Sequence, residues 1–557
     1  MRRSEKLSKN EIKRIVKVAK GEEKADLVIK SAEIVNVLTE EIYNSDIAIC
    51  GDRIAGIGKY DGLREIDAKG LYAIPGLIDA HTHIEMSLLT LSEFARLVVP
   101  RGNTCIVADP HEIANVLGKK GIVYLLEEAK NTPIRFYCMI PSCVPSSPLE
   151  TPGGTITAED VEELLKLDKV IGLAEVMNYP GVLNCEDELL EKIERAEIVD
   201  GHCPKLSDKA LNAYVSAGIM SDHESTTLEE AKEKLRLGMR VMVREGSAAK
   251  NLRNLKTILG NRAVMLVTDG DRSVLDLLSE GYLDSALRKA IAEGVDEFKA
   301  LQAVTINPAE YFGINAGLIA PGRFADIALV KDLRRLEVKK VFVGGKEPVF
   351  TRFEYPEDAK KTVKAKKISE SDIAIPNGLA RIIEIIDGEI ITGEGVENVD
   401  GIEVSKDILK AVVVERHRGT GNVGKAYVRG FGLKKGALAQ SIAHDAHNIV
   451  AIGASDVEIC KAVNRLIEIG GGIVVYDNEF YELPLKIAGI MSDEKAEIVA
   501  ERLKEIEKKL RKLGCKLKSP IITLSFIALP VIPKLKLTDL GLVDVEKFAV
   551  VEPVIRS

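Results

Sequence analysis

Histidines in this chain gather where short apolar runs end. The sequence contains eight histidines in 557 residues, and five of them, His81, His83, His111, His202 and His223, directly follow such runs. Imidazole groups bind divalent transition metals, and carboxylates can bridge two of these ions. Two ions roughly 3.5–4 Å apart activate one water as a nucleophile at neutral pH. The histidine pattern therefore predicts metal-assisted hydrolysis.

Glu175 and Asp269 follow two further apolar runs and complete this set. Residues two apart in a strand point the same way, so His81 and His83 should project together. Glu175 is placed to bridge two ions, and Asp269 to bind the first ion while it accepts protons. A single His-x-His motif is more often structural, but buried charges without a partner are destabilising, which favours the metal interpretation for the whole set. The predicted metal ligands are His81, His83, Glu175, His202, His223 and Asp269.

The elements that must position these side chains form a regular alternation between residues 75 and 313. Apolar runs rich in β-forming residues are each followed by helix-like sequence, and the alternation repeats eight times. This is the pattern of a (β/α)8 barrel, whose active site is built at the carboxyl ends of the strands. The apolar residues 263–267 are typical of a parallel strand that is covered on both faces. The predicted strands end at Asp79, Ala108, Ile140, Ala174, Val199, Met220, Val243 and Thr268.

Segments on either side of the barrel predict further domains in a protein of the α/β class. Short β-type runs alternate with turns over residues 26–74, and similar sequence returns over residues 314–353, so these two segments are expected to form one small β-sandwich. The charged residues 354–375 predict a linker. The expected boundaries are 1–25 for an N-terminal helical extension, 26–74 with 314–353 for the β-sandwich, 75–313 for the metal-dependent barrel, 354–375 for the linker and 376–557 for a C-terminal α/β domain.

The composition argues against several classes of protein. The formal net charge is −8, which argues against a nucleic-acid partner. No apolar run approaches the roughly 18 residues of a membrane span. The charged N-terminus lacks the apolar stretch of a signal peptide, so a cytoplasmic location and no membrane partner are expected. The eight cysteines include no CxxC pair and are expected to be reduced thiols.

The first predicted barrel strand carries a specific signature. The segment from Pro75 to His83, Pro-Gly-Leu-Ile-Asp-Ala-His-Thr-His, resembles the strand-1 motif of the amidohydrolase superfamily, and residues 317–326 resemble the segment that closes its barrel. Many members of that superfamily place a carboxylated lysine at the end of strand 4. This sequence has Glu175 there, which excludes the lysine-bridged subtype of dihydroorotases, hydantoinases and ureases.

Motifs outside the first strand narrow the resemblance to the adenine deaminase family. Two lie in the barrel, and the more specific ones lie in the C-terminal domain, so that the similarity covers roughly residues 25–557. The barrel motifs are residues 109–115 (Asp-Pro-His-Glu-Ile-Ala-Asn) and 141–145 (Pro-Ser-Cys-Val-Pro), and the C-terminal ones are residues 415–417, 430–434, 443–449 and 529–533.

This resemblance implies hydrolysis of adenine to hypoxanthine and ammonia, in purine salvage, with two divalent ions. Manganese or iron is the expected metal, with zinc as a further option. A metal-activated hydroxide is expected to attack C6 of the purine, while Asp269 accepts its proton and passes it to the departing amine. N1 must gain a proton as C6 becomes tetrahedral, and Glu85, Glu112 and Glu224 are the candidate acids. Each of the three has an alternative role as a carboxylate that orients a ligand histidine.

Four polar residues are expected to bind the substrate. His111 has an alternative role as a cap for the helix that begins near Glu112. The histidines near residue 445 belong either to a loop laid over the barrel mouth or to a structural hydrogen-bond network. The expected substrate-binding residues are His111, Ser142, His444 and His447.

Two other functions stay open from the sequence. The first is a related amidohydrolase that acts on guanine, cytosine or imidazolonepropionate. The second is a non-catalytic relative that kept the barrel as an interaction scaffold, although such proteins usually lose metal ligands. Amidohydrolases often form dimers or larger assemblies, so a homo-oligomer is expected, with adenine as its small-molecule substrate.

Overall fold

The computed structural model describes residues 6–247 and 249–556 of the chain. A short helix, Lys9–Ala19, comes first, and reciprocal hydrogen bonds between Ser8 and Glu11 close its first turn. Val18 on this helix packs against Val28 and other buried residues of the first sheet. The helix therefore covers one face of the sheet that follows it.

The two segments predicted to form a small β-sandwich share one seven-stranded sheet. Its first strand, Ala25–Asn36, pairs antiparallel with Glu41–Cys50 and changes register near its middle. Before this irregularity it pairs with Gly62–Asp67, and after it with Tyr72–Pro75, so one long strand serves two neighbours. Within the described chain the strands of this sheet are Ala25–Asn36, Glu41–Cys50, Arg53–Ile57, Gly62–Asp67, Tyr72–Pro75, Ile327–Val330 and Val338–Phe342.

The predicted (β/α)8 barrel is confirmed by eight short parallel strands in the described chain. Each strand ends within three residues of its predicted end. Nearly all of their residues are buried, because helices cover the outside of the barrel and side chains fill its interior. The strands are Leu77–Thr82, Asn103–Ala108, Arg135–Ile140, Val170–Val176, Val199–Gly201, Ser221–Asp222, Arg240–Arg244 and Val264–Val267.

Helices follow every barrel strand and end before the next strand begins. After the last strand, four helices lead the chain back to the first sheet. The barrel helices are Leu91–Val98, His111–Leu117, Lys119–Ala129, Ala158–Leu164, Tyr179–Leu183, Asp187–Glu194, Asp208–Ser216, Leu228–Arg236, Leu252–Leu255, Val274–Ser279, Leu283–Ala292, Glu297–Ala303 and Ile306–Phe312.

The buried carboxylate of Asp79 joins the first and last barrel strands. Its Oδ2 accepts a hydrogen bond from the hydroxyl of Thr268 at 2.6 Å, and both of its oxygens lie near the amide of the same residue. Its Oδ1 also accepts from the amide of His81 at 3.3 Å. Burial raises the pKa of Asp79 to about 6. Asp79 therefore closes the barrel where the first predicted metal ligand leaves its strand.

Replacing Asp79 with alanine should lower the midpoint of thermal unfolding by at least about 2 °C. The change leaves the buried hydroxyl and amide of Thr268 without their acceptor, which costs about 1–3 kcal/mol. Differential scanning calorimetry measures the shift, with Asp61→Ala at an exposed aspartate as the control. An Asp79→Ala protein that unfolds at the wild-type midpoint would contradict this role.

The C-terminal domain is a nine-stranded sheet with a smaller three-stranded sheet beside it. Its helices are Asp456–Glu468, Ala496–Lys512 and Pro520–Ile527. Within the described chain the large sheet consists of Gly378–Ile385, Thr392–Val399, Ile408–Val414, Val423–Arg429, Ala437–Gln440, Ile449–Gly453, Gly472–Asp477, Glu479–Pro484 and Val554–Arg556, and the small sheet of Leu535–Thr538, Gly541–Asp544 and Ala549–Val551.

The predicted linker is tightly packed. The hydroxyl of Tyr355 donates to Glu128 on a barrel helix at 2.5 Å, and Ala359, in the short helix Glu357–Lys360, is fully buried. The carbonyl of Ala359 accepts from the amide of Ala488 at 2.7 Å. This segment therefore connects the barrel to the C-terminal domain through direct contacts with both. We propose the domain boundaries given above, with this segment between the two domains. No helix in the described ranges has the length and apolar content needed to span a bilayer.

Candidate metal centre and substrate cavity

The predicted metal ligands meet at the carboxyl ends of the barrel strands, around Glu175. Its Oε1 lies 3.3 Å from Nε2 of His83 and 3.8 Å from Nε2 of His81. Its Oε2 lies 2.7 Å from Nδ1 of His202 and 3.1 Å from Nε2 of His223. One oxygen therefore faces His81 and His83, with Nδ1 of His111 also 3.8 Å away, and the other faces His202 and His223, which is the arrangement expected of a bridging ligand.

Asp269 completes the first pair. Its Oδ1 lies 3.3 Å from Nε2 of His81 and 3.5 Å from Nε2 of His83. The backbone φ of Asp269 is 61°, a left-handed conformation that few residues other than glycine adopt. Such a conformation persists only where the surrounding structure holds it, and it is concentrated at functional sites.

The Nε2 atoms of His81 and His83, which face this centre, are available to a cation. Nδ1 of His83 donates to the backbone carbonyl of Asp109 at 2.8 Å, so the lone pair of the neutral ring is on Nε2. Within the described residues, the buried Nε2 of His81 has no hydrogen-bond partner. A cation accounts for an orphaned imidazole nitrogen beside two carboxylates. The donor set therefore fits a divalent metal.

The charges inside the centre balance one another. Burial opposes ionisation of Glu175, but the charge of His223 and the hydrogen bonds from His202, His223 and His83 outweigh it and hold its pKa well below the usual value. At His223, the charges of Glu175 and Asp269 outweigh burial and raise its pKa to about 9. The negative charge of the two carboxylates thus requires nearby positive charge. Either protons on the histidines or divalent ions can supply it.

Arg244, at the end of the seventh barrel strand, links Asp269 to Glu224. Its Nη1 donates to Oδ2 of Asp269 at 3.1 Å and also to Oε1 of Glu224, while its Nη2 donates to Oε2 of Glu224 at 3.1 Å. Both oxygens of Glu224, one of the candidate acids, are therefore held by one guanidinium group. This forked geometry is the strong form of an arginine–carboxylate pair.

Glu85, the second candidate acid, keeps one oxygen unoccupied. Its Oε1 accepts from the amide of Ile113 at 3.3 Å, whereas its buried Oε2 has no hydrogen-bond partner in the described ranges. Burial, together with the charge of Glu112, raises the pKa of Glu85 to about 7. A buried carboxyl group with this pKa and a free oxygen can donate a proton to a ligand at neutral pH.

Glu112, the third candidate acid, lies between two histidines of the C-terminal domain. Nδ1 of His444 lies 2.9 Å from its Oε1, and Nε2 of His447 contacts its Oε2. Burial opposes ionisation of Glu112, but the charges of His444, His447 and His111 outweigh it and hold its pKa well below the usual value. Glu112 is therefore ionised, and both of its oxygens have partners.

A cavity of about 210 Å³ lies between the barrel mouth and the C-terminal domain. This volume is about that of seven water molecules at ~30 Å³ each, which is room for a planar bicyclic base. The barrel lines it with Glu85, Glu112 and Arg272, and the C-terminal domain with His444 and His447. Residues 443–447 thus lie over the barrel mouth, which is one of the two alternatives drawn from the sequence.

Two of the predicted substrate-binding residues do not line this cavity. Nδ1 of His111 lies 3.3 Å from Oδ2 of Asp109, and its Nε2 lies 3.6 Å from Oε1 of Glu112. The hydroxyl of Ser142 donates to the backbone carbonyl of Glu175 at 2.5 Å. His111 therefore lies among the carboxylates of Asp109, Glu112 and Glu175, whereas Ser142 holds the backbone at Glu175.

Three residues near the site were not predicted from the sequence. Asp79 ends the first predicted strand and Arg244 directly follows the predicted end of the seventh, so the strand-end rule could have assigned a role to both. Arg272 lies in the loop after the eighth strand, where it donates to the carbonyl of Gly281 and lines the cavity. A single arginine in a loop carries no comparable sequence signal.

Two family profiles match the chain. The profile described as the amidohydrolase family matches residues 72–347, and the one described as the adenine deaminase C-terminal domain matches residues 389–549. Together they cover the barrel and most of the C-terminal domain. The N-terminal part of the chain thus matches the amidohydrolase profile, and the C-terminal part matches a domain profile named for adenine deaminase.

Curated proteins named adenine deaminase match the chain over almost its whole length. The one from Archaeoglobus fulgidus is 66% identical over 542 residues, which cover 97% of this chain and 98% of that protein. The one from Dehalococcoides mccartyi strain 195 is 44% identical and covers 97% of this chain and 99% of its own. A protein named adenine deaminase 2 from Carboxydothermus hydrogenoformans is 45% identical with the same coverage.

Proposed function

We propose adenine hydrolysis, to hypoxanthine and ammonia, as the reaction of this chain, which belongs to the adenine deaminase family within the amidohydrolases. The observation that carries the proposal is the position of Glu175, with one carboxylate oxygen on each of two histidine pairs. A cavity of suitable size is lined by Glu85 and Asp271, which lie two residues along the chain from the proposed ligands His83 and Asp269. This arrangement supports a hydrolytic deaminase, and the relatives support adenine as its substrate.

The family implies a divalent metal, and we propose that two ions bind. When bound, such ions lower the pKa of a coordinated water and so supply a nucleophile at neutral pH. The nitrogen and oxygen donors, without a thiolate, suit manganese or iron, with zinc as a further option. The residues that would hold the first ion are His81, His83 and Asp269, those for the second are His202 and His223, and Glu175 would be shared by both.

The chain's own residues then move the protons of the reaction. Asp269 has its Oδ1 among the ligands and its Oδ2 against Arg244, so it is placed to take a proton from the nucleophile and pass it to the leaving amine. Glu85 has an unpartnered oxygen and lines the cavity, so we assign to it the transfer of a proton to N1. Glu112 and Glu224, whose oxygens are occupied, hold neighbouring groups in position.

Ammonia release should be measured for adenine, guanine, cytosine and adenosine, using protein stripped of metal and then loaded with manganese, iron or zinc. We expect adenine to react by far the fastest, with activity that reaches its maximum at two metal equivalents per chain. The metal-free protein should be inactive because the nucleophile depends on the ions. Rapid turnover of another base with adenine inert would contradict the proposal.

We also propose that the protein works in the cytoplasm as a homo-oligomer, in purine salvage, without a nucleic-acid or membrane partner. All eight cysteines are unpaired, which is typical of proteins from reducing compartments. The net charge of −8 disfavours binding to nucleic acid.

A further inference from the structure

The carboxylate of Glu112 is shared by two histidines from a different domain. Glu112 belongs to the helix that follows the second barrel strand, whereas His444 and His447 come from the C-terminal domain. Nδ1 of His444 lies 2.9 Å from Oε1, and Nε2 of His447 contacts Oε2. All three side chains are buried. The barrel and the C-terminal domain are thus joined by polar contacts at the edge of the cavity.

The ring of His447 is oriented by its own loop. The amide of Ala443 donates to Nδ1 of His447 at 3.2 Å, so this nitrogen carries a lone pair and the proton of the neutral ring is on Nε2. Nε2 therefore donates to Glu112 and has no lone pair for a cation. This tautomer identifies the cluster as a hydrogen-bonded triad and argues against a third metal site.

Buried donors brace the loop that carries both histidines. Nε of Arg416 donates to the carbonyl of His447, and its Nη2 donates to the carbonyl of Ala488 at 2.9 Å. Nε2 of His417 donates to the carbonyl of Ala446 at 2.6 Å. The loop is therefore rigidly held, as a preorganised binding element requires.

His444 presents its second ring nitrogen for a ligand. Nδ1 is engaged by Glu112, while Nε2 has no hydrogen bond to any residue that the structure describes, and the side chain lines the cavity. Its amide donates to the hydroxyl of Ser525 at 3.1 Å, and its ring packs 4.9 Å from that of Phe526. Burial disfavours the charged ring, but the charge of Glu112 outweighs it and raises the pKa of His444, which favours a proton on each nitrogen.

We propose that His444 is a substrate-binding residue supplied by the C-terminal domain, which donates from Nε2 to an unprotonated ring nitrogen of the purine, N3 or N7. Glu112 and His447 are positioning residues: His447 holds the carboxylate of Glu112, and Glu112 in turn holds the His444 ring. The proposal rests on the proposed function and names a side chain that recognises the purine ring by a hydrogen bond. It also explains why the C-terminal domain covers the barrel mouth.

Analogues of adenine that lack one ring nitrogen test this contact directly. We expect the wild-type enzyme to discriminate against either 3-deazaadenine or 7-deazaadenine, and His444→Ala to lose that discrimination. The kcat/KM of His444→Ala for adenine should fall about tenfold to a hundredfold, the range expected when a buried hydrogen bond loses its partner. A merely structural role of His444 would lower the activity toward adenine and its analogues equally.

His447 is tested by its own pair of variants. His447→Ala should lower kcat/KM in the same direction as His444→Ala and weaken the discrimination between adenine and the analogue. His447→Gln keeps a side-chain N–H donor for Glu112, so it should retain most of the wild-type kcat/KM and most of the discrimination. Glu497→Gln is the matched control, because it removes the charge from an exposed contact between the domains, 2.6 Å from Arg96, away from the cavity. It should keep wild-type kinetics.

Metal content and product binding complete the test. All variants should retain the wild-type number of metal ions, and His444→Ala should bind hypoxanthine more weakly in a calorimetric titration. Loss of one metal equivalent in His444→Ala or His447→Ala would show a cation site and overturn the proposal, as would a His444→Ala enzyme that keeps the discrimination. If the wild-type enzyme does not deaminate adenine, the proposed function fails instead.

Discussion

Replacing Glu175 with glutamine should lower kcat/KM for adenine by at least about a thousandfold. A metal centre contributes several kcal/mol to transition-state stabilisation, and each 1.36 kcal/mol changes the rate tenfold. Glutamine has the same shape but puts an NH2 group in place of one oxygen, where it faces either His83 or His202 instead of a shared ion. Steady-state kinetics and elemental analysis of the purified variant measure the loss of activity and of metal.

Glu128→Gln is the matched control for this change. Glu128 is also fully buried and accepts from the amide of Ser92 at 2.8 Å and the hydroxyl of Tyr355 at 2.5 Å. It lies outside the metal centre, so the same substitution there should leave metal content and kcat unchanged. A Glu175→Gln protein with full metal content and wild-type kcat/KM would overturn the bridging role of Glu175.

Replacing Glu85 with glutamine should lower kcat by about 10²–10⁴, the range for loss of one general acid. Metal content should stay at the wild-type level, because Glu85 lies outside the proposed ligand set. The KM for adenine should change little if Glu85 acts mainly in the transition state, since a loss confined to kcat marks an interaction made there. Steady-state kinetics over a range of adenine concentrations separates the two parameters.

The pH dependence identifies Glu85 more specifically. A general acid acts in its protonated form, so activity that depends on Glu85, whose pKa is about 7, should be present below that pH and decline above it. Glu85→Gln should lack this decline, and Glu224→Gln should keep it, because Glu224 is paired with Arg244. If the Glu85→Gln enzyme keeps the wild-type kcat, the group that protonates N1 must instead be Glu112 or Glu224.

The amino-acid sequence alone determined the barrel and the positions of the predicted ligands. Parallel strands that are buried on both faces consist of continuous runs of apolar residues. A side chain that follows such a run lies at the carboxyl edge of the barrel. His81, Glu175 and Asp269 could therefore be predicted to meet, although they are far apart in the chain. Their roles as ligands stay predictions, which the distances around Glu175 support.

The sequence could not rank the three candidate acids, because all three follow apolar runs in the same way. Their hydrogen-bond partners distinguish them in the structure: Glu224 is held by Arg244, Glu112 by two histidines, and Glu85 keeps a free oxygen. A pKa depends on burial and on neighbouring charges. Both come from several segments of the chain at once, so neither can be read from a local pattern.

The tertiary structure also decided how the C-terminal domain contributes. The motif at residues 443–449 was visible in the sequence, but either a loop over the site or a structural network could account for it. The contact between Glu112 and His447 joins residues 335 positions apart, and it exists only because the C-terminal domain packs against the barrel. Local periodicity specifies strands and helices, whereas the packing of one domain on another depends on complementary surfaces built from residues far apart in the chain.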